Sequence, residues 1–341
     1  MRTVKKREKV GVQDIAGYLN ISASTVSRAL NDHPRISKET KERVMAAAKK
    51  LGYNPGLPEL MEPEKAEAVA VLMPSLDSAF YRELAAGINN YLGLHNYHTF
   101  IINTEGDERK EELFFKTYKK YGVSGIIHVV NDRRLPDDFY KPVLRYDLPL
   151  VTICEPDFES GVSSVLPDVF QGFNKLVNYL HTLNIKSAAM ILEDKNNPLD
   201  SQMEHSFYDS AEMVYTEGHN FKTYYFEREP RSFIDNITRL LKKENRPETL
   251  IIKDAFSALE VYSLAEKMGI RIPEDFLLIA IGSDFQMENI ASNLSLLKMP
   301  GFTMGNEAAE ILFDQIQNPL EEKKSAIIPV NFILKSSSIR I

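Results

Sequence analysis

The stretch from Val12 to Asn54 constrains the fold most, because apolar residues recur there at helical spacing between residues that favour turns and helix ends. These apolar residues are Ile15, Ala16 and Leu19, then Val26 and Leu30, and then Val44, Ala47, Ala48 and Leu51. The spacing predicts helices over 12–19, over 23–30 and after Ser37. Ser22 and Ser37 can cap the second and third helices by accepting a backbone N–H. The stretch therefore predicts a small all-α domain.

The second of these helices has the features of a DNA-reading helix. It leaves Ser24, Thr25 and Arg28 facing outward, and short side chains let a helix enter the major groove, where base edges can be distinguished. Residues 1–56 carry twelve Lys or Arg and five Asp or Glu, a net charge of +7. The whole chain carries −7, so residues 57–341 sum to −14. A basic head on an acidic body indicates a polyanion-binding domain and disfavours a merely structural three-helix bundle.

Three segments of this region resemble the DNA-binding headpiece of the lactose-repressor (LacI-type) family of bacterial transcription regulators. They are Asp14–Asn31, Pro34–Val44 and Ala47–Pro55. The resemblance implies that a dimer binds operator DNA through a headpiece at residues 1–56. It also implies that Ala23, Ser24 and Arg28 read bases. The residues that contact phosphates or brace the helix would be Thr25, Ser27, Asn31 and Tyr53. Ser22, the predicted cap of the second helix, is a further candidate DNA-binding residue.

We predict that residues 57–66 form a linker, because Asn54–Pro58 breaks regular structure and acidic residues follow. In the resembled family this segment forms a hinge helix that enters the minor groove, and Leu60 or Met61 would be its wedge. Glu59, Glu62 and Glu64 would instead be repelled by phosphates, which favours a flexible tether. Both interpretations stay open at this point.

Residues 67–341 predict an α/β core, because short apolar runs alternate with helical patterns of ten or more residues. The predicted strands cover 68–73, 98–102, 125–130, 150–154, 163–166, 188–192, 222–226, 250–252 and 277–281. The predicted helices cover 80–94, 108–121, 169–183, 202–218, 232–244, 255–269 and 304–317. So many strands indicate two doubly wound subdomains.

Landmarks along the core extend the resemblance over nearly the whole chain. They are Pro74–Tyr81, Gly125–Ile127, Leu148–Val151, Ile272–Phe276 and Ile281–Asp284. They imply a periplasmic-binding-protein-like core whose chain crosses three times between subdomains. Subdomain one would contain 67–161 and 292–322, and subdomain two would contain 162–291 and 323–341.

Polar and aromatic residues follow the predicted strands, where ligands of open α/β sheets bind. The candidate effector-binding residues are Ser75, Asp77, Phe80, Tyr81, Asn131, Asp168, Asp254 and Asp284. Lys253 and Ser283 directly precede the last two and are candidates at the same strand ends. Several have an ordinary structural interpretation as core aromatics or helix caps. Many sugar-responsive members of the resembled family carry an arginine in the helix after the sixth strand, and Met203 occupies that position here. The effector could therefore be an unusual one, be bound differently from those of such members, or be absent. A sugar or sugar derivative is the expected effector.

The composition argues against other classes of protein. The single Cys154 lies in an apolar run and excludes a disulfide framework. No export signal or apolar run of membrane-spanning length is present, which predicts a cytoplasmic protein without a membrane partner. Nucleotide-loop, zinc-helix and nucleophile-elbow motifs are absent, so no enzyme activity, metal or cofactor is predicted.

The leading hypothesis is a transcriptional regulator, a repressor whose operator affinity depends on a small effector and which acts as a homodimer or a tetramer. A solute-binding protein with an incidental basic N-terminus is one alternative, although it would require export. A sugar-metabolising enzyme fused to a DNA-binding head is the other, and turnover of candidate ligands would distinguish it.

Overall fold

The computed structural model describes residues 11–30, 33, 36–51, 67–131, 135, 139–154, 162–226, 230–283, 293–320 and 322–340. The chain divides into two compact units, Met1–Lys65 and Ala66–Ile341. The described part of the first unit contains helices α1 (Val12–Leu19), α2 (Ala23–Leu30) and α3 (Lys38–Leu51). The predicted linker, with Leu60 and Met61, lies outside the described residues.

The three helices pack as their apolar spacing predicts. Their common core consists of Ile15, Ala16, Val26, Ala29, Val44, Ala47 and Ala48, with Leu19, Leu30 and Leu51 packed against it. Both predicted caps are present: the Ser22 hydroxyl accepts from Thr25 N at 3.1 Å, and the Ser37 hydroxyl accepts from Thr40 N at 3.2 Å. These bonds satisfy N–H groups that a helix start leaves without partners.

The second unit contains twelve described strands. They are β1 (Glu67–Met73), β2 (Tyr97–Asn103), β3 (Gly125–Val129), β4 (Leu150–Ile153), β5 (Ser163–Asp168), β6 (Ser187–Leu192), β7 (Asn220–Tyr225), β8 (Thr249–Lys253), β9 (Leu277–Gly282), β10 (Ser295–Lys298), β11 (Ser325–Pro329) and β12 (Asn331–Ile333). The pattern predicted the first nine, with ends shifted by one or two residues. The last three were not predicted.

The α-helices described in this unit are α4 (Ala79–Leu94), α5 (Glu108–Thr117), α6 (Lys141–Leu144), α7 (Val169–Thr182), α8 (Pro198–Val214), α9 (Pro230–Leu241), α10 (Ala255–Lys267) and α11 (Gly301–Gln317). Short 3₁₀ helices cover Tyr118–Tyr121 and Ser336–Ser338. Helix α8 begins four residues before its predicted start, because Asn197 caps it and Pro198 occupies its first turn.

The strands form two six-stranded sheets. The first has the order β11-β5-β4-β3-β1-β2 and the second β12-β10-β9-β8-β6-β7. All strand pairs are parallel except β10 with β12. Strand β1 is buried at six of its seven residues, as expected where helices cover both faces of a parallel sheet. The predicted fold class is therefore confirmed.

The three predicted crossings between subdomains are present, but the predicted limits need correction. Strands β5 and β11 belong to the first sheet, whereas 163–166 and 323–341 were assigned to subdomain two. Strand β10 belongs to the second sheet, whereas 292–322 was assigned to subdomain one. Hydrogen bonding decides these cases, because β5 pairs with β4, and β10 pairs with β9. The chain thus crosses after β5, after β10 and after β11.

Candidate functional site

Helix α2 presents one polar face to solvent. Ser22, Ala23, Ser24, Ser27 and Arg28 are exposed, while Val26 and Ala29 on the opposite face are buried. A helix held in this way by its apolar face can present its other face to a groove without rearrangement.

The start of α2 is organised by hydroxyl groups. The Ser22 Oγ lies 2.7 Å from the half-buried Thr25 Oγ1 and 2.9 Å from the Ser24 Oγ. This network places small donors and acceptors next to the first N–H groups of the helix, where the helix dipole favours phosphate. Of the other predicted DNA-binding residues, Asn31 and Tyr53 lie outside the described residues.

A cleft of about 320 Å³ lies between the two sheets of the second unit. Subdomain one contributes the residues after β1, β2 and β3, and subdomain two contributes those after β6, β8, β9 and β10 and from α8. The carboxyl ends of parallel strands therefore face each other across it, as is typical of ligand sites in open α/β sheets.

Hydrogen bonds from the side chains of Asn197 and Gln202 join the two subdomains. Asn197 Nδ2 donates to Asn131 Oδ1 at 2.8 Å, and Gln202 Nε2 donates to the Cys154 carbonyl at 3.0 Å. Asn131 Oδ1 also accepts from the Tyr81 hydroxyl at 3.5 Å. Burial raises the pKa of Tyr81, and nearby Cys154 and Asp200 raise it further, so this hydroxyl stays a donor at neutral pH.

On the side of the cleft that subdomain two contributes, a lysine lies between two carboxylates. Lys253 Nζ bonds to Asp200 Oδ1 and lies 3.7 Å from Glu193 Oε2. Asp200 is fully buried, and its other oxygen accepts from the backbone N–H groups of Glu193 and Asp194. Burial alone would lower the pKa of Lys253, but the two carboxylates outweigh it and raise the pKa above its ordinary value.

The cleft brings together most of the predicted effector-binding residues. Those that line it are Ser75, Phe80, Tyr81, Asn131, Met203 and Asp254. Asp77 is exposed and is not among the described lining residues, and neither is Asp168, which caps α7 by accepting from Gln171 N at 2.9 Å. Asp284 lies outside the described residues.

Several lining residues were not predicted. They include Glu105, Gly106, Glu193, Asp194 and Asn197. All but Asn197 follow the carboxyl end of β2 or β6 within three residues, which is the signal that could have identified them. Lys253 and Ser283, which the sequence places beside Asp254 and Asp284 at strand ends, also line the cleft. Asp254 adopts a left-handed backbone, φ 73°, and caps α10 by accepting from Phe256 N and Ser257 N.

Helices long and apolar enough to cross a membrane are absent from the part of the chain that the structure describes.

Two family models match the chain. Residues 11–56 match bacterial regulatory proteins of the lacI family, and residues 177–338 match a periplasmic binding protein-like domain. The chain is 21% identical to the HTH-type transcriptional regulator RegA of Clostridium saccharobutylicum, over 96% of this chain and 99% of RegA.

Solved structures share the fold. A lac repressor dimer bound to operator and the anti-inducer ONPF has a TM-score of 0.71 at 16% identity, covering 98% of this chain and 100% of that one. A LacI family transcriptional regulator from Enterococcus faecium with bound ribose has a TM-score of 0.69 at 20% identity. The match covers 81% of this chain and 100% of that chain.

Proposed function

This chain belongs to the lacI family of bacterial regulatory proteins, and from that premise we propose that it represses transcription by binding operator DNA through residues 1–56. The observation that carries the proposal is the exposed polar face of α2, held by a buried apolar face and a capped start. In this proposal Ala23, Ser24 and Arg28 read bases. Ser22, Thr25 and Ser27 position the helix, and Asn31 and Tyr53 assist them.

The second unit, 67–341, is proposed to sense a small polyhydroxylated effector in its cleft. Amide and carboxylate groups with aromatic rings suit sugar hydroxyls and ring faces, and a volume of about 320 Å³ lies in the range of small-molecule sites. Among the solved neighbours, the Enterococcus faecium regulator holds ribose. A regulator returns its effector unchanged, so no turnover is expected. Because its target is chromosomal DNA, the protein acts in the cytoplasm.

The effector is proposed to act by changing how the two subdomains meet. Asn131 and Asn197 bond across the cleft, so a ligand that inserts beside them alters the preferred closure. A ligand shifts the equilibrium only by its difference in affinity for the two closures. Residues 57–66, with Leu60 and Met61, would carry this change to the headpiece as a tether or as a hinge.

A homodimer is proposed because β2 lies at the edge of the first sheet and exposes apolar side chains. Phe100 is 53% exposed and Ile101 is 41% exposed, and Leu94, at the end of the preceding helix α4, is 76% exposed. An unpaired edge with apolar side chains favours association with a second chain.

The test is selection of genomic fragments by the purified full-length protein at low ionic strength, followed by footprinting. We expect a small set of protected sites, with half-sites about one helical turn or a multiple of it apart. Binding without preference for any fragment, with and without candidate effectors, would refute the proposed function.

A further inference from the structure

The cleft carries more negative than positive charge. The carboxylates among its lining residues are Glu105, Glu193, Asp194 and Asp254, and Lys253 is the one cation among the described lining residues. The arginine expected at position 203 in many sugar-responsive relatives is the buried Met203 here. A bound group with negative charge would therefore meet net repulsion from the charged lining residues.

Lys253 does not offset this charge for an incoming ligand. Its ammonium already bonds to Asp200 and lies 3.7 Å from Glu193. Asp200 is itself held by the N–H groups of Glu193 and Asp194, at 3.2 and 3.1 Å. The lysine therefore holds the loop after β6 in place and leaves this part of the cleft with excess negative charge.

The carboxylates of the cleft differ in how many hydrogen bonds and ion pairs they already make within the protein. Glu105 pairs with Lys110, and Asp254 caps α10 with both oxygens. Asp194 is exposed, and its Oδ1 accepts from Asn196 N at 2.9 Å. A carboxylate can accept about four hydrogen bonds, so Asp194 retains capacity for a donor on the ligand.

A second observation points independently to a ligand. Ser283 lines the cleft and is 2% exposed, and its Oγ has no hydrogen-bond partner among the residues that the structure describes. A buried hydroxyl without a partner is costly, and such groups normally bond to protein, water or ligand. A hydroxyl of a bound polyol would supply the missing partner.

We propose that the effector is a small polyol that carries a protonated amine, such as an amino sugar. The ammonium bonds to Asp194 beside Glu193, and a ring hydroxyl bonds to Ser283. Tyr81 and Phe80 contact the apolar face of the ring. This inference rests on the proposed effector role of the cleft and specifies the charge of the ligand.

The test uses matched sets of three compounds that share one ring and differ in charge. For glucose, galactose and mannose, these are the 2-amino sugar, the neutral parent and the 6-phosphate. Calorimetric titration of the full-length protein in mildly acidic buffer, where the amine is protonated, gives the three affinities. We expect one amino sugar to bind at least about tenfold more tightly than its parent, and its phosphate not to bind.

Three variants separate the contribution of the Asp194 charge to ligand affinity from the contributions of the other site residues. Asp194→Asn keeps the size of the side chain, and we expect it to bring the amine-to-parent affinity ratio towards one. Ser283→Ala should weaken amine and parent equally and leave their ratio unchanged. Asp209→Asn removes an exposed carboxylate on α8 outside the described lining, and it should change neither affinity nor ratio.

The inference is overturned if a parent sugar or a phosphate binds as tightly as its amine, or if no amino sugar binds. Operator binding is measured on the same preparation. Intact selection of genomic fragments together with no amine preference refutes only the inference. An amine preference without any selection of fragments refutes only the proposed function.

Discussion

Arg28 is the exposed cation at the end of the polar face of α2. If it pairs with a base, Arg28→Ala should weaken operator binding by about 1–3 kcal/mol and relax discrimination at one base pair. Fluorescence anisotropy with operator and with random duplex measures both effects. Arg239→Ala, an exposed arginine on α9, is the matched control and should leave both affinities unchanged. Loss of random-duplex binding alone, with operator binding intact, would contradict base reading.

The pair of Lys253 and the fully buried Asp200 gives a second prediction at this scale. Asp200→Asn leaves a largely buried ammonium with one acid partner, and removing one member of a buried pair costs about 3–5 kcal/mol. Glu112→Gln removes an exposed pair with Lys116 and should cost under about 0.5 kcal/mol. Denaturant unfolding of both variants measures the difference. Equal losses of unfolding free energy in the two variants would show that the buried pair stabilises the fold no more than the exposed pair does.

The pH dependence of this pair follows from the raised pKa of Lys253. A raised pKa means that the stabilisation is complete below the unfolded-state value of 10.5 and is lost as the pH rises through the higher folded-state value. The stability difference between wild type and Asp200→Asn should therefore be constant around neutral pH and shrink only in strongly alkaline solution. Urea titrations at several pH values test this, and a difference that disappeared near neutrality would contradict it.

Individual site residues could be predicted from the sequence only where they directly follow a predicted strand. Asn131 and Asp254 directly follow apolar strands, so their place at the cleft could be inferred from sequence. Asn197 is the fifth residue after β6, and only the folded chain shows that it reaches Asn131 across the cleft. Asp168 follows a strand too, but its carboxylate is used by the first turn of α7. Position at a strand end therefore does not separate a ligand contact from a cap.

Helices α4 and α11 pack at a crossing that leaves no room for a side chain at two glycines. A Cβ on Gly305 would lie 2.2 Å from the Leu84 carbonyl oxygen, and one on Gly87 would lie 2.1 Å from the Phe302 carbonyl oxygen. Gly305→Ala should therefore force the helices apart and cost about 1–3 kcal/mol. Gly93→Ala, on α4 with nothing within 4 Å, should instead be neutral or stabilise by up to about 1 kcal/mol. Thermal unfolding of the two variants checks both signs, and the same sign for both would contradict the tight crossing.

The elements themselves were predictable where apolar periodicity was strong. Strands β1, β3 to β6, β8 and β9 are largely buried, and the three headpiece helices bury apolar residues at helical spacing. Strand β11 alternates between exposed and half-buried residues, and β12 has only three residues, so neither gives a clear apolar signal. The crossings were misplaced for a related reason, because the sheet that a strand joins depends on hydrogen bonds to distant segments.

At the scale of the whole molecule, regulation through paired half-sites requires two headpieces on one particle. Linking two binding modules raises the overall affinity by about 10²–10⁴-fold, because binding of the second becomes intramolecular. The exposed apolar edge at β2 is the surface proposed to supply this linkage. A single change at that edge should thus affect DNA binding without touching the headpiece.

Phe100→Glu places a charge on the exposed edge, where the isolated chain tolerates it but an apolar interface does not. We expect the mass from light scattering to fall to that of one chain, and operator affinity to fall by about 10²-fold or more. Leu113→Glu, at a leucine on α5 that is 62% exposed, should leave mass and affinity unchanged. A Phe100→Glu protein that stays dimeric would place the interface elsewhere. One that becomes monomeric yet binds operator with full affinity would show that a single headpiece is sufficient.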